Sequence, residues 1–407
     1  MLTNTKETSH DHLPHPHHHV RCPQDLRPPR DAVRQALIGP ALPPFPEQGK
    51  GRNTMRLRTS HALSLCPSGP VVEGMNFLSG APFTIDGRVV DLLSGLDEWT
   101  EAAEVIRTTP FTETDIDQLV ALGLVVVEGS AQARREYDFE QSWQWGHPAA
   151  AMHFSLHNRP FVTVDESERR QVEKAYNEPG PPLALGNGDA TIVTPLPEPD
   201  PDDALLRIVA RRRTVRESSD TPLPLSAMAD LLFAGLGITG STRNAANELP
   251  LKTTPSGGAR NPYEAYVYAR RVEGLVPGVH HYSATDRTLG LVSEHPEAPP
   301  SELVAGQLWA DDAAALVILI AHLDRTMWKY DDPNAYRVVM IEAGHVGQNV
   351  MLAATRIGWS ACPTAAIARC PTLEALELDD RIVIEPVYAL ALMHPPGGLP
   401  PTRFDPS

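Results

Sequence analysis

The hydrophobic positions of this chain fall into three regimes. Residues 1–54 have no period: histidines crowd His10–His19 and prolines Pro40–Pro46. Such a stretch cannot bury enough apolar area to offset chain entropy, so a disordered tail is expected. At Met55, a candidate start, the pattern changes to Met55-Arg56-Leu57-Arg58 and a short alternating run, His61–Cys66. Phe83–Val90 predicts two short strands about an Asp86-Gly87 turn. One helix is predicted from Asp97, with Trp99, Ala102, Ala103 and Ile106 on one face. A second is predicted from Thr112, where Asp115 completes a capping box and Ile116, Leu119, Val120 and Leu122 form the apolar stripe. Gly123 ends it, and Leu124–Val127 reads as a strand. A hairpin, two helices and a strand make residues 55–135 a winged-helix-like unit.

Residues 136–200 read as a connection. Trp143, Trp145, His153 and His157 are aromatic anchors, followed by the Pro/Gly-rich stretch Pro179–Pro201. The third regime, 201–398, alternates helical and strand periods. Helices are predicted at Leu205–Arg213, at Ser226–Phe233 with Ser226 as N-cap, and at Tyr336–Ile357. The last is apolar at Val339, Met340, Ala343, Val346, Val350, Met351 and Ala354, and Gly358 stops it. Strands are predicted at Tyr263–Ala269, Leu316–Ala321 and Ile382–Leu392. This order predicts an α+β fold, an antiparallel sheet wrapped by helices. Residues 399–407 are a short tail.

Composition narrows the function. The net charge is −16, which argues against a general nucleic-acid or anionic-membrane binder. The longest apolar run, Ala313–Ala321, suits one buried strand and is far too short to span a bilayer. The N-terminus lacks a secretory pattern. The spacing of Cys22, Cys66, Cys362 and Cys370 fits neither a Cys-x-x-Cys pair nor a disulfide framework. A cytoplasmic protein with free thiols is expected.

Three constellations carry chemistry. Thr254-Pro255-Ser256-Gly257-Gly258-Ala259-Arg260-Asn261-Pro262 runs into an apolar strand. It is either a tight turn or a surface on which backbone lies flat against a planar ligand. Arg212-Arg213-Thr214-Val215-Arg216 follows a helix. It is either a solvated basic helix end or a phosphate site of arginine forks and a hydroxyl. Glu342, Gly344, His345, Gln348 and Asn349 lie on the long helix. The Glu-x-x-His spacing has no second copy, so no metal is expected there. Gly235-Leu236-Gly237-Ile238-Thr239-Gly240 is followed by Ser-Thr-Arg-Asn rather than an apolar helix, which argues against a dinucleotide site.

Together, these segments and their order over nearly all of 201–398 resemble the flavin-dependent nitroreductase superfamily, and within it the SagB-type dehydrogenases. The resemblance implies bound FMN, with Arg212, Arg213, Thr214 and Arg216 on its phosphate and ribityl chain. Pro255, Ser256, Gly257, Gly258 and Asn261 would lie at its ring, and Gln348 on a helix at a homodimer core. It also implies oxidation of azoline rings in a ribosomally made precursor peptide, with the adjacent pair Lys329 and Tyr330 managing the proton and dioxygen reoxidising the flavin. Burial would lower the lysine pKa enough for it to act as base. The 55–135 unit resembles the peptide-binding winged helix of peptide-maturation enzymes, which implies leader-peptide binding by strand addition; the alternative is a structural cap on the second domain, and the acidic second helix (Glu113, Asp115, Asp117) would repel DNA. A cyclodehydratase partner is implied too. The alternatives are a nicotinamide-dependent FMN reductase of dehydroamino acids or nitro compounds, and a non-catalytic scaffold that delivers peptide.

Overall fold

The structure, a computed structural model, describes residues 55–157, 164–178, 191–244 and 248–402. The predicted tail 1–54 lies outside them, as does 179–190 of the predicted connection.

The first part is a small sheet with three short helices. Strand β1 (Arg56–Thr59) is followed by a meander, β2 (Leu63–Ser68), β3 (Val71–Asn76) and β4 (Ala81–Ile85). Then come helix α1 (Gly87–Ser94), β5 (Thr100–Glu101), α2 (Ala102–Thr108), α3 (Glu113–Ala121) and β6 (Val125–Val127). A second sheet has the order β5-β1-β6. The Thr112/Asp115 capping box forms, and Ile116 and Leu119 are buried as its stripe requires. The hairpin expected at Phe83–Val90 does not. Asp86 instead caps α1, its carboxylate accepting from the Arg88 and Val89 N–H groups. An Asp-Gly pair serves a turn or a helix start equally well, and the apolar run Val89, Val90, Leu92, Leu93 after it favours the helix. The helix expected from Asp97 begins only at Ala102.

Residues 131–177 carry three helices, α4 (Ala131–Ser142), α5 (Gly146–Ser155) and α6 (Val164–Asn177). Trp143 and Trp145 are not anchors on a surface. They are buried in the same core as the large sheet, with Phe77, Phe139 and Phe154. A buried Arg58–Glu136 ion pair at 2.9 Å joins β1 to α4.

The remainder holds α7 (Ala204–Arg211), α8 (Leu225–Leu236), the hairpin β7 (Ile238–Arg243) and β8 (Glu248–Lys252), then β9 (Tyr263–Ala269), β10 (Gly278–Ser283) and β11 (Thr288–Ser293). It continues with α9 (Pro300–Leu303), β12 (Ala315–His322), α10 (Leu323–Met327), α11 (Asn334–Arg356), β13 (Ser360–Thr364), α12 (Arg369–Ala375) and β14 (Ile384–Met393). Ser226 does not cap α8: the N-cap is Pro224, without a side-chain bond.

Six of these strands form an antiparallel sheet, ordered β11-β10-β9-β12-β14-β13. Both faces are covered, which explains why β12 is apolar without alternation. Val317, Leu319 and Ala321 face α8 and α11; Leu316, Ile318 and Ile320 face α9 and α12. Gly235 allows α8 to approach α11: a Cβ there would sit 2.8 Å from Val350. It packs helices, consistent with discounting a dinucleotide loop. The fold is α+β, as expected.

Candidate functional site

The glycine turn lies between β8 and β9, over the first turns of α11. Ser256 opens a short 3₁₀ turn in which Gly258 takes φ +60° and Ala259 φ +53°; Asn261 follows at φ +48°. Such backbone strain outside glycine needs support from the surroundings. Asn261 supplies it, donating its amide N–H groups to the Pro250 and Ala259 carbonyls while its backbone N–H reaches Ser256 Oγ at 2.8 Å. Most of the Asn261 side chain therefore holds the turn together.

Sequence reasoning passed over the role of Glu342. Its Oε1 accepts the Gly257 N–H at 2.6 Å. That N–H was expected to face a ligand and is instead engaged by a carboxylate. Burial raises the Glu342 pKa, opposed by the hydrogen bonds from Gly257 and Ser256. An acid on the face of α11 toward the turn was the available signal.

Lys329 and Tyr330, at the end of α10, lie directly against Gly258. A Cβ added there would collide with Lys329 Nζ and lie 2.6 Å from Tyr330 Oη. Only glycine fits. Buried Trp145 donates its indole N–H to the Tyr330 carbonyl at 2.8 Å, and Lys329 Nζ lies 5.1 Å from the Tyr330 ring centroid. Lys329 itself is exposed, so in one chain the burial expected to activate it is not met.

The arginine run lies elsewhere. The Val215 N–H donates to Ser360 Oγ, which in turn donates to the Arg213 carbonyl, so the run follows the start of β13. Arg213, Thr214 and Arg216 are exposed, and Arg212 is half-buried. Among the described residues none of Arg212, Arg213 and Arg216 pairs with a carboxylate, although Arg213 Nη1 donates to the Ala210 and Arg212 carbonyls at 2.9 and 2.7 Å and the Arg216 guanidinium lies 5.8 Å from the Trp309 ring centroid. The sheet register fixes where they are. Ser360 aligns through Met393 with the β14 end, where Leu392 faces Ala315 and Ala315 faces Ala269, the last residue of β9. The glycine turn precedes Tyr263, at the other end of β9. The two backbones are about 20 Å apart along the strands and about 14 Å across them.

Gln348 sits on a third surface. It is exposed on α11 with Ile341, Gly344 and His345, a stripe that also includes Val338.

Beneath the sheet edge lies a buried cluster. His157 Nε2 is 3.0 Å and His153 Nε2 3.8 Å from Glu385 Oε2. These atoms could converge on a metal ion, but Arg369 Nε already donates to the same oxygen at 3.0 Å. A guanidinium there suits a charge-neutralised network better than a cation site. Burial holds His153 down to about 4, with Glu385 opposing it, so the ring is neutral near pH 7.

A family model described as the nitroreductase family matches residues 209–392. A protein of Methanocaldococcus jannaschii bearing the nitroreductase name is 32% identical over 197 residues, 48% of this chain and 92% of its own length. The trifolitoxin-processing protein TfxB of Rhizobium leguminosarum bv. trifolii is 27% identical over 177 residues, 39% of this chain and 45% of its own. Among solved structures, a chain of the Escherichia coli microcin synthetase complex, with truncated pro-microcin bound, aligns with a TM-score of 0.42 and 18% identity, covering 64% of this chain and 91% of that one. No helix among the described residues is long and apolar enough to cross a membrane.

Proposed function

The chain belongs to the nitroreductase family, and from that premise we propose that it is an FMN-dependent dehydrogenase that oxidises azoline rings, thiazoline or oxazoline, in a ribosomally made precursor peptide. The observation that carries this reading is the contact of Lys329 and Tyr330 with the Gly258 turn. It brings a base and a phenol to the backbone surface that best suits a planar ring. The 27% identity to a protein named for processing trifolitoxin supports a peptide substrate.

The residues fit a flavin in two places. The glycine turn offers backbone at Gly257 and Gly258 that no side chain of its own covers, and Arg212, Arg213 and Arg216 offer guanidinium groups without carboxylate partners for one phosphate. Arg212–Arg216 and Pro255–Asn261 are too far apart in one chain for a single mononucleotide. A homodimer resolves this. A second copy that covers the α11 stripe with Val338, Ile341 and Gln348 would complete each site with one segment from each chain.

When bound, the flavin supplies a two-electron acceptor. The chain's own part is the proton. Azoline oxidation removes a proton from one ring carbon and a hydride from its neighbour, leaving an aromatic azole. Lys329 Nζ takes the proton and Tyr330 Oη relays it, and dioxygen is the final oxidant. Covering Lys329 with substrate and a second copy supplies the desolvation that it lacks alone.

The test is direct. Purified protein is heated and the released cofactor chromatographed; the protein is then mixed with a thiazoline peptide in air. FMN and a product lighter by two hydrogens are expected. FAD would overturn the cofactor assignment, and an unchanged peptide alongside rapid flavin reduction by NADPH would move the activity to a reductase.

A further inference from the structure

Beside the glycine turn the chain encloses a cleft of about 700 Å³. Lys252 of β8, Arg260 of the turn, Glu264 of β9, His281 of β10, His322 at the end of β12 and Arg325 of α10 are among the residues that line it. Its charges are unbalanced. The acids are already engaged. Glu264 pairs with Arg325 at 2.7 Å and lies 3.5 Å from His281. Glu248 accepts from Ser241 at 2.7 Å and lies 3.5 Å from Arg243. Two cations remain. Lys252 forms no ion pair within 4 Å among the described residues; burial lowers its pKa, with the charge of Glu264 opposing. Arg260 stacks on Trp328 at 4.8 Å, with Nε and Nη1 buried and without hydrogen-bond partners. Buried donors without acceptors mark a place where an acceptor belongs. The cleft thus carries an excess of positive charge in a chain of net charge −16, and such a concavity favours anions.

Through Trp328 the cleft adjoins Lys329 and Tyr330, and it has room for more than one residue of an extended chain. We infer that the cleft is a specificity subsite for a carboxylate: an acidic side chain of the peptide, flanking the ring being oxidised, that binds between Lys252 and Arg260. This rests on the proposed function for its substrate. A flavin phosphate shares the chemistry, but the guanidinium groups of Arg212, Arg213 and Arg216, which lack carboxylate partners, provide for that group.

Three short peptides, identical but for Glu, Gln or Lys beside a thiazoline, are titrated into flavin-loaded protein and assayed for oxidation. Binding is measured by calorimetry on the same peptides, so that it can be judged even if no ring is oxidised. Glu should bind about tenfold more tightly than Gln, and Lys weakest, as expected of a charge-assisted pair. Lys252→Gln should raise the KM of the Glu peptide to that of the Gln peptide. Equal binding of all three peptides would overturn the subsite. So would loss of flavin from Lys252→Gln, which would assign the cleft to the cofactor phosphate. Preferential binding of Glu without oxidation would instead uphold the subsite and sink the azoline-oxidase reading.

Discussion

The turn Ser256–Asn261 and the run Arg212–Arg216 sit near opposite corners of the same sheet and are built in opposite ways. Around the turn, polar groups are engaged by parts of the chain far away in sequence: Gly257 by Glu342, Asn261 by Pro250, and the Tyr330 that packs on Gly258 by Trp145. Along the run the backbone is fixed by Ser360, Arg213 folds back on the Ala210 and Arg212 carbonyls, and the guanidinium groups lack carboxylate partners. A preorganised surface paired with an open electrostatic one is what a site needs when one end orients a ring and the other holds a charge. The turn should tolerate no change in shape. The run should tolerate shape changes but not loss of charge.

The largest effect is expected at the turn. Lys329→Ala should cut azoline oxidation by about 10²–10⁴-fold, the usual contribution of a positioned base, and leave the flavin spectrum unchanged. Tyr330→Phe should give a partial loss. Gly258→Ala should do worse than its size suggests. It places a Cβ against Lys329 Nζ at φ +60°, and should cost about 1–2 kcal/mol of stability as well as turnover. Gly290→Ala, with open space around it, is the control. Normal turnover by Lys329→Ala would make the pair bystanders.

The comparison can be broken outright by mixing. If each site takes its turn from one chain and its arginine run from another, Gly258→Ala and an Arg212→Ala/Arg216→Ala double variant should each be nearly inactive alone. Refolded together in equal amounts, half the dimers are mixed and each carries one intact site. Activity should therefore return to about a quarter of wild type. No recovery, or a monomer by light scattering with flavin still bound, would mean that one chain holds the whole site.

Next in size is cofactor affinity. Each charge-assisted bond to a phosphate contributes about 1.5–3 kcal/mol, so Arg212→Ala or Arg216→Ala should weaken FMN by about 10–100-fold, measured by flavin fluorescence. The melting temperature of the apoprotein should barely move, because these side chains are mostly exposed. A change in stability without a change in affinity would reverse the roles assigned to run and turn.

How much of this was legible depended on the range of the forces involved. The Thr112/Asp115 box and the strand Tyr263–Ala269 rest on local pattern and formed where expected. The strands β10, β11 and β13 did not announce themselves, since their sequences mix glycine, histidine and serine with apolar residues. Trp143 and Trp145 looked like surface anchors because nothing nearby in sequence shows the partner of Trp145, Tyr330, 185 positions away. The candidate site residues were readable as types. Their grouping was not: Lys329 meets Gly258 only because α10 returns beside the β8–β9 turn, and the separation of the arginine run follows from strand order.

The smallest effect concerns the buried network that ties α5 to the edge of the sheet and, through the 3.2 Å contact of His153 Nδ1 with Tyr336 Oη, to the start of α11. Groups facing His153 are Glu385, His157, Arg369 and Tyr336. Burial first, with Glu385 opposing, lowers His153 from 6.5 to about 4. Between those values the unfolded chain binds a proton that the folded one refuses, so stability must fall as pH falls. Above pH 6.5 the residue contributes no pH dependence, and below 4 its penalty is complete. The slope between is at most about 1.4 kcal/mol per pH unit for one proton. Glu264, which His281 and Arg325 hold down at about 2 against the opposing effect of burial, loses its stabilisation only below 4.5. The window from pH 6.5 to 4.5 therefore separates the two. Chemical denaturation across it should show a declining stability in wild type and a flatter profile in His153→Gln, which should start lower because it breaks the aromatic packing with Trp143 and Phe154. An unchanged slope in that variant would mean that His153 is not the group that titrates, and that α5 is held on the sheet by packing alone.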